Sequence, residues 1–248
     1  MAHKLGLVSI SFRGLKPREI LAAVKAAGLS CVEWGSDVHA PKDDERAIMD
    51  IAAMQRELGI ECCSYGTYFR LGETPLSELE GYIKAAKLLG TNVLRLWCGR
   101  KNSEDYTADE RDKLFSVCRE AASIAEANGV VLCMECHNST YTNRIDGALE
   151  LMRCVDSPAF RMYWQPNQLR SIEENITYAR KIGPYTYHAH VFNWSGKEKY
   201  PLSDAVDIWR VYLDALGGER TLLLEFMPDG RIESLAGEAD ALRAIADK

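Results

Sequence analysis

No apolar run in this 248-residue chain approaches the roughly 18 residues that a membrane-spanning helix needs. The opening "MAHKLGLVSI" lacks an apolar segment of secretory-leader length. These absences point to a cytoplasmic protein with no membrane partner, its eight cysteines reduced and mostly buried as small hydrophobes. Dense basic clusters are also lacking. Net charge is −6, and the nearest approach to a cationic patch, "CGRKNSED" at 98–105, carries its own acids. A grip on a phosphate backbone takes several basic contacts, so nucleic acid is excluded as a partner. No Pro/Gly/Ser-rich linker, charge run or low-complexity segment divides the chain, which reads as one domain over 1–248. Where a Gly-x-Gly-x-x-Gly would follow the first apolar run, "SFRGLKP" stands instead. That counts against an open dinucleotide-binding sheet.

What is present is a repeated local grammar: a helical segment ends at glycine and a short apolar run follows. It recurs as "AAGLSCVEW", "ELGIECCSY", "LLGTNVLRLW", "ANGVVLCMEC", "KIGPYTYHAH" and "ALGGERTLLLEF". Gly28, Gly59, Gly90, Gly129, Gly183 and Gly217 each stand where a left-handed residue would close a helix and release a strand. Two further runs, "KLGLVSISF" and "AFRMYWQPN", complete a set of eight predicted strands. They lie near residues 5–12, 30–35, 60–66, 92–98, 130–137, 160–166, 186–192 and 221–227. Helical patterns fill the gaps, as in "DDERAIMDIAAMQREL", where acids open the first turn and Ala47, Ile48, Ile51, Ala52 and Leu58 form one stripe. Eight βα units in this length fit α/β architecture as a single (β/α)8 TIM barrel.

Chemistry in such a barrel sits at the C-terminal strand ends. Strand five ends in "VVLCMECHNST", where Cys133, Glu135, Cys136 and His137 crowd together. Alternation puts Cys133, Glu135 and His137 on one face and Cys136 on the other, so the two cysteines can neither chelate together nor form a disulfide. On the same rule Leu223, Glu225 and Met227 share a face of strand eight, His188 and His190 of strand seven, and Tyr163, Gln165 and Asn167 of strand six. Glu135, Gln165, His190 and Glu225 thus converge at the mouth, a mixed nitrogen and oxygen set suited to one divalent ion: Mn, Mg, Co or Zn. Two inward carboxylates in apolar strands need such a reason, because burying an unpaired charge is costly.

The motifs "MECHNST", "YWQPNQ", "HAHVFNW" and "LLLEFM" resemble the xylose-isomerase-like barrel superfamily along the whole chain. The resemblance implies a metal-dependent isomerase or epimerase of a small sugar, sugar phosphate or polyol-derived ketone. In such enzymes an ion bridging substrate oxygens acidifies the neighbouring C–H and stabilises an enediolate. Its ligands would be Glu135, Gln165, His190 and Glu225, with Glu135 and Glu225 doubling as acid and base. Position 165 departs from the pattern: the family's aspartate is an amide here. Gln168 and Gly196 replace a histidine and an arginine of the ketose 3-epimerase branch. An inosose-type dehydratase and a non-catalytic sugar-binding barrel are the alternative readings. The endonuclease branch fits poorly, since strands three and four end in Tyr65, Thr67, Trp97 and Gly99 rather than additional metal ligands.

Around this centre Glu33, His39, His137, Asn167 and Trp194 are expected to bind substrate, with Trp34 and Trp97 as further apolar walls. Each has a plainer alternative: Glu33 as an acid paired with a lysine, His39 as an exposed loop histidine, the tryptophans as packing. Arg95 reads either as a substrate anchor or as the counter-charge of a buried acid, and His188 as a core residue. Lys197 and Lys199 in "NWSGKEKYPLSD" either meet a phosphate or are solvated. The partner is a small carbohydrate, and the sequence leaves room for a homo-oligomer.

Overall fold

The computed structural model of the chain describes residues 3–247. Its barrel strands are β1 (Lys4–Val8), β2 (Cys31–Gly35), β3 (Glu61–Leu71), β4 (Val93–Cys98), β5 (Val131–Glu135), β6 (Phe160–Trp164), β7 (Thr186–Val191) and β8 (Thr221–Leu224). All pair in parallel with their sequence neighbours, and β8 closes on β1 with Thr221 opposite Lys4. Eight helices alternate with them: α1 (Pro17–Ala26), α2 (Glu45–Leu58), α3 (Leu79–Leu89), α4 (Ala108–Asn128), α5 (Ile145–Val155), α6 (Ile172–Ile182), α7 (Val206–Leu216) and α8 (Leu235–Ala246). The fold is a closed (β/α)8 barrel. Among the described residues no helix is long and apolar enough to cross a membrane.

The helices begin and end for local reasons. The Asp44 carboxylate accepts the Ala47 N–H at 3.0 Å to open α2, and Thr107 with Glu110 forms a capping box at α4. Gly28, Gly59, Gly90, Gly129 and Gly217 have positive φ, as expected of helix-closing residues. Gly183 does not: its backbone is right-handed, with φ −46°. It is small because a Cβ there would run into the Leu216 carbonyl.

Two layers of core follow from strand alternation. The larger lies between sheet and helices and contains Val32, Trp34, Leu132, Met134, Cys136, Leu222 and Leu224. The smaller fills the barrel itself with Val8, Cys31, Val93, Cys133, Tyr163 and Leu223. Cys133 and Cys136 therefore face opposite ways, as alternation requires.

Three local expectations change. The first strand stops at Val8, and Ser9–Phe12 forms a 3-10 turn. The Ser9 hydroxyl there accepts the Gly35 N–H at 2.9 Å, and the Ser11 hydroxyl accepts the Phe226 N–H at 2.8 Å. The third strand runs on to Leu71. Met227 joins the outer core rather than facing inward. Phe226, at φ 59°, is left-handed and breaks the alternation, so that Phe226 itself packs against the barrel interior.

Candidate active site

β5, β6, β7 and β8 bring Glu135, Gln165, His190 and Glu225 around one atom, His190 Nδ1. Gln165 Oε1 lies 2.9 Å from it, Glu225 Oε2 3.5 Å and Glu135 Oε1 3.6 Å. Glu135, His190 and Glu225 are buried and offer ligand atoms within 4.8 Å of one another. A cleft opens above them. Its walls include Glu135, His137, Gln165, Asn167, Trp194 and Glu225.

The electrostatics of this centre are lopsided. Arg95 on β4, 2% exposed, donates from Nη1 to Glu135 Oε2 at 2.6 Å and from Nε to Glu33 Oε1 at 2.9 Å. Trp97 Nε1 donates to the same Glu135 oxygen at 2.6 Å. Burial by itself would raise the Glu135 pKa, but the Arg95 charge and the imidazole of His190 outweigh it and hold the carboxyl well below the usual range. Glu225 has no such clamp. Burial, joined by the nearby Glu135 charge and opposed by His190, pushes its pKa up. Burial also disfavours a charged His190, yet Glu225, Glu135 and Glu33 overcome it and raise the imidazole to about 10.

A family model described as a xylose isomerase-like TIM barrel matches residues 21–245. The chain belongs to that family. This xylose isomerase-like barrel is 22% identical over 155 residues to the 3-dehydroshikimate dehydratase of Bacillus anthracis, a match covering 60% of the chain and 52% of that protein. It thus spans about half the length of that curated relative. Its fold superposes on the probable 3-DHS dehydratase AsbF of Bacillus anthracis with a TM-score of 0.79, at 17% identity over 98% of this chain and 99% of the other. The IolI protein, solved with a bound zinc atom, gives 0.78 at 16% identity over 98% and 97%. D-psicose 3-epimerase of Clostridium cellulolyticum, solved with D-tagatose, gives 0.71 at 17% identity over 97% of both chains.

The remaining predicted residues divide. His137 is exposed at the rim, its ring 5.5 Å from that of Trp97, with Nδ1 2.6 Å from the Asn138 carbonyl. Asn167 lines the cleft and donates to Asn138 Oδ1 at 2.7 Å. Trp194 stands in the wall, its ring beside those of Phe192 and Phe226 at 4.8 and 5.4 Å. Lys199 lies over the Trp194 and Phe226 rings.

Glu33 and His39 do not line the cleft of the xylose isomerase-like barrel. Glu33 is completely buried in the barrel and paired with Arg95, not with a lysine. His39 is 5% exposed, with Nδ1 3.0 Å from the Ser9 hydroxyl, and burial lowers its pKa. Trp34 is no wall either: it faces the helices and donates to Gln55 Oε1 at 2.9 Å, which is why the α2 stripe includes a buried glutamine. Arg95 is the counter-charge of buried acids. His188 sits in the interior, its ring nitrogens at 3.0 and 3.2 Å from the Tyr187 and Cys63 carbonyls. Sequence reasoning missed Asn138 and Phe226. Asn138 follows directly on "MECH", but nothing in the chain marks Phe226 as left-handed.

Proposed function

We propose that this protein is a divalent-metal-dependent enzyme that moves a proton on the carbon beside a carbonyl in a small hydroxylated substrate: a sugar, sugar phosphate or polyol-derived ketone. The observation that carries this is the convergence of Glu135 Oε1, Gln165 Oε1 and Glu225 Oε2 on His190 Nδ1, beneath an open cleft. Two carboxylates, an imidazole and an amide oxygen, most of them buried, fit one Mn, Mg, Co or Zn ion. When bound there, the ion supplies the positive charge that acidifies a C–H beside a carbonyl.

The two glutamates do not share the acid–base work equally. Glu135 has one oxygen fixed by Arg95 and Trp97, so it holds position and keeps its charge. Glu225, with its raised pKa, is the better base and takes the proton. His137, exposed at the rim of the same cleft, returns a proton to the neighbouring carbon, or to the other face. Asn167 and Asn138 offer amides to substrate hydroxyls, and Trp194 offers an apolar face to its C–H groups. This is isomerisation or epimerisation.

A dehydratase reading has its own support in the Bacillus anthracis relatives. It begins with the same proton removal by Glu225, after which the electron pair expels a hydroxyl from the next carbon and His137 protonates it to water. Product analysis separates the two: mass is conserved in isomerisation, and one water is lost in dehydration.

Elemental analysis of protein purified without chelator tests the shared premise. About one Mn, Co, Zn or Mg per chain is expected; none, even after soaking, leaves a non-catalytic sugar-binding barrel. Metal affinity should also depend on pH. His190 carries its proton up to about pH 10 in the metal-free protein, and Nδ1 must lose it to coordinate. Affinity therefore rises with pH, by about tenfold per unit below 10 for one displaced proton. Mn2+ titrations at pH 6, 7 and 8 check the slope; a flat profile would show that the imidazole is not a ligand.

A further inference from the structure

The other side of the His190 ring meets Glu33. Nε2 lies 3.6 Å from Glu33 Oε1, and both groups are wholly buried. Neither His190 Nε2 nor Glu33 Oε2 has a hydrogen-bond partner, although both are enclosed. Buried polar atoms of this kind rarely go unpaired without a role. Glu33 Oε1 also receives the Arg95 Nε–H, and the same guanidinium clamps Glu135. Gly66 on β3 makes room for this: a Cβ there would stand 2.6 Å from Glu33 Oε1 and 2.9 Å from an Arg95 nitrogen.

We infer that Glu33 is a positioning residue for the metal centre, fixing His190 through its Nε2–H and Glu135 through Arg95. The inference rests on the metal reading of the site. With Nδ1 turned to the ligand cluster, the ring's second nitrogen must carry hydrogen when the first coordinates. A carboxylate facing that N–H orients the ring and makes Nδ1 a stronger donor. One buried acid from β2 thereby holds two groups on β5 and β7, neither of which it neighbours in the sheet.

The test compares Mn2+ affinity by calorimetry in wild type, Glu33→Gln and Val93→Ala. Val93 belongs to the same core inside the barrel and carries no polar group. Glu33→Gln should bind Mn2+ about 10- to 100-fold more weakly, the usual cost of losing such a partner. Val93→Ala should bind as wild type does. Nitrogen NMR of the Zn2+-loaded wild type gives a readout that needs no variant: His190 should be protonated on Nε2, with that proton shifted by a carboxylate partner. Equal Mn2+ affinity in wild type and Glu33→Gln, equal weakening in both variants, or a proton on Nδ1 would each overturn the role of Glu33 alone. Failure of wild type to bind Mn2+ would overturn the metal reading and this inference with it.

Discussion

Glu225→Gln should slow exchange between solvent deuterium and the substrate C–H by roughly 10²- to 10⁴-fold, the range lost with a general base. The amide has the shape of the carboxylate but cannot take the proton. The readout is deuterium incorporation into whichever hydroxy-ketone the wild type turns over. Folding should not suffer in parallel. Glu225 is one of three buried acids around His190, and its raised pKa reflects burial and the repulsion of Glu135. Neutralising it relieves that repulsion, so the metal-free variant should melt at or above the wild-type temperature. Metal retention should drop as well, since a ligand charge is lost. Exchange at the wild-type rate would remove Glu225 from the role of base. Glu135→Gln offers the contrast, because it disturbs the Arg95 clamp and should cost stability as well as activity.

The largest effect on stability should come from Arg95→Met. The guanidinium is enclosed between Glu33 and Glu135, with both acids buried. Removing it strands two carboxylates away from water, and breaking a buried pair from one side costs about 3–5 kcal/mol. For a chain of this size that is on the order of 10 °C in Tm. The loss should be greatest in chelator and partly recovered with Mn2+, because a cation in the cluster takes over some of the missing positive charge. Calorimetry of both proteins, with and without metal, measures it. A melting temperature within a degree or two of wild type would mean that Arg95 is not the counter-charge of these acids.

Much of this arrangement is legible in the chain itself. Glycines before apolar runs announced the βα units, and a period of two put Glu135, Gln165, His190 and Glu225 on inward faces. Those are local signals, and local geometry obeyed them. What alternation could not say was depth. Glu33 and Glu135 both point inward, yet only Glu135 reaches the cleft, because strands in a barrel are staggered and sequence carries no axial coordinate. Trp34 follows the alternation: next to an inward Glu33, it faces the helices and packs there, the plainer of its two readings. Gly183 and Phe226 show a further limit. One is a glycine kept for a backbone crossing near, the other a bulky residue in a conformation that favours glycine, and neither pattern is written locally.

The charged centre is also divided along the chain in a way that bears on assembly. β1–β4 contribute Glu33 and Arg95, an acid and a base that satisfy each other. β5–β8 contribute Glu135, His190 and Glu225, with Arg161 of β6 lower down beside Cys133. Glu135 on β5 is enclosed with its charge matched once Arg95 stands beside it on the neighbouring β4. Pairing of β4 with β5 and completion of the Glu33–Arg95–Glu135 chain are thus one event.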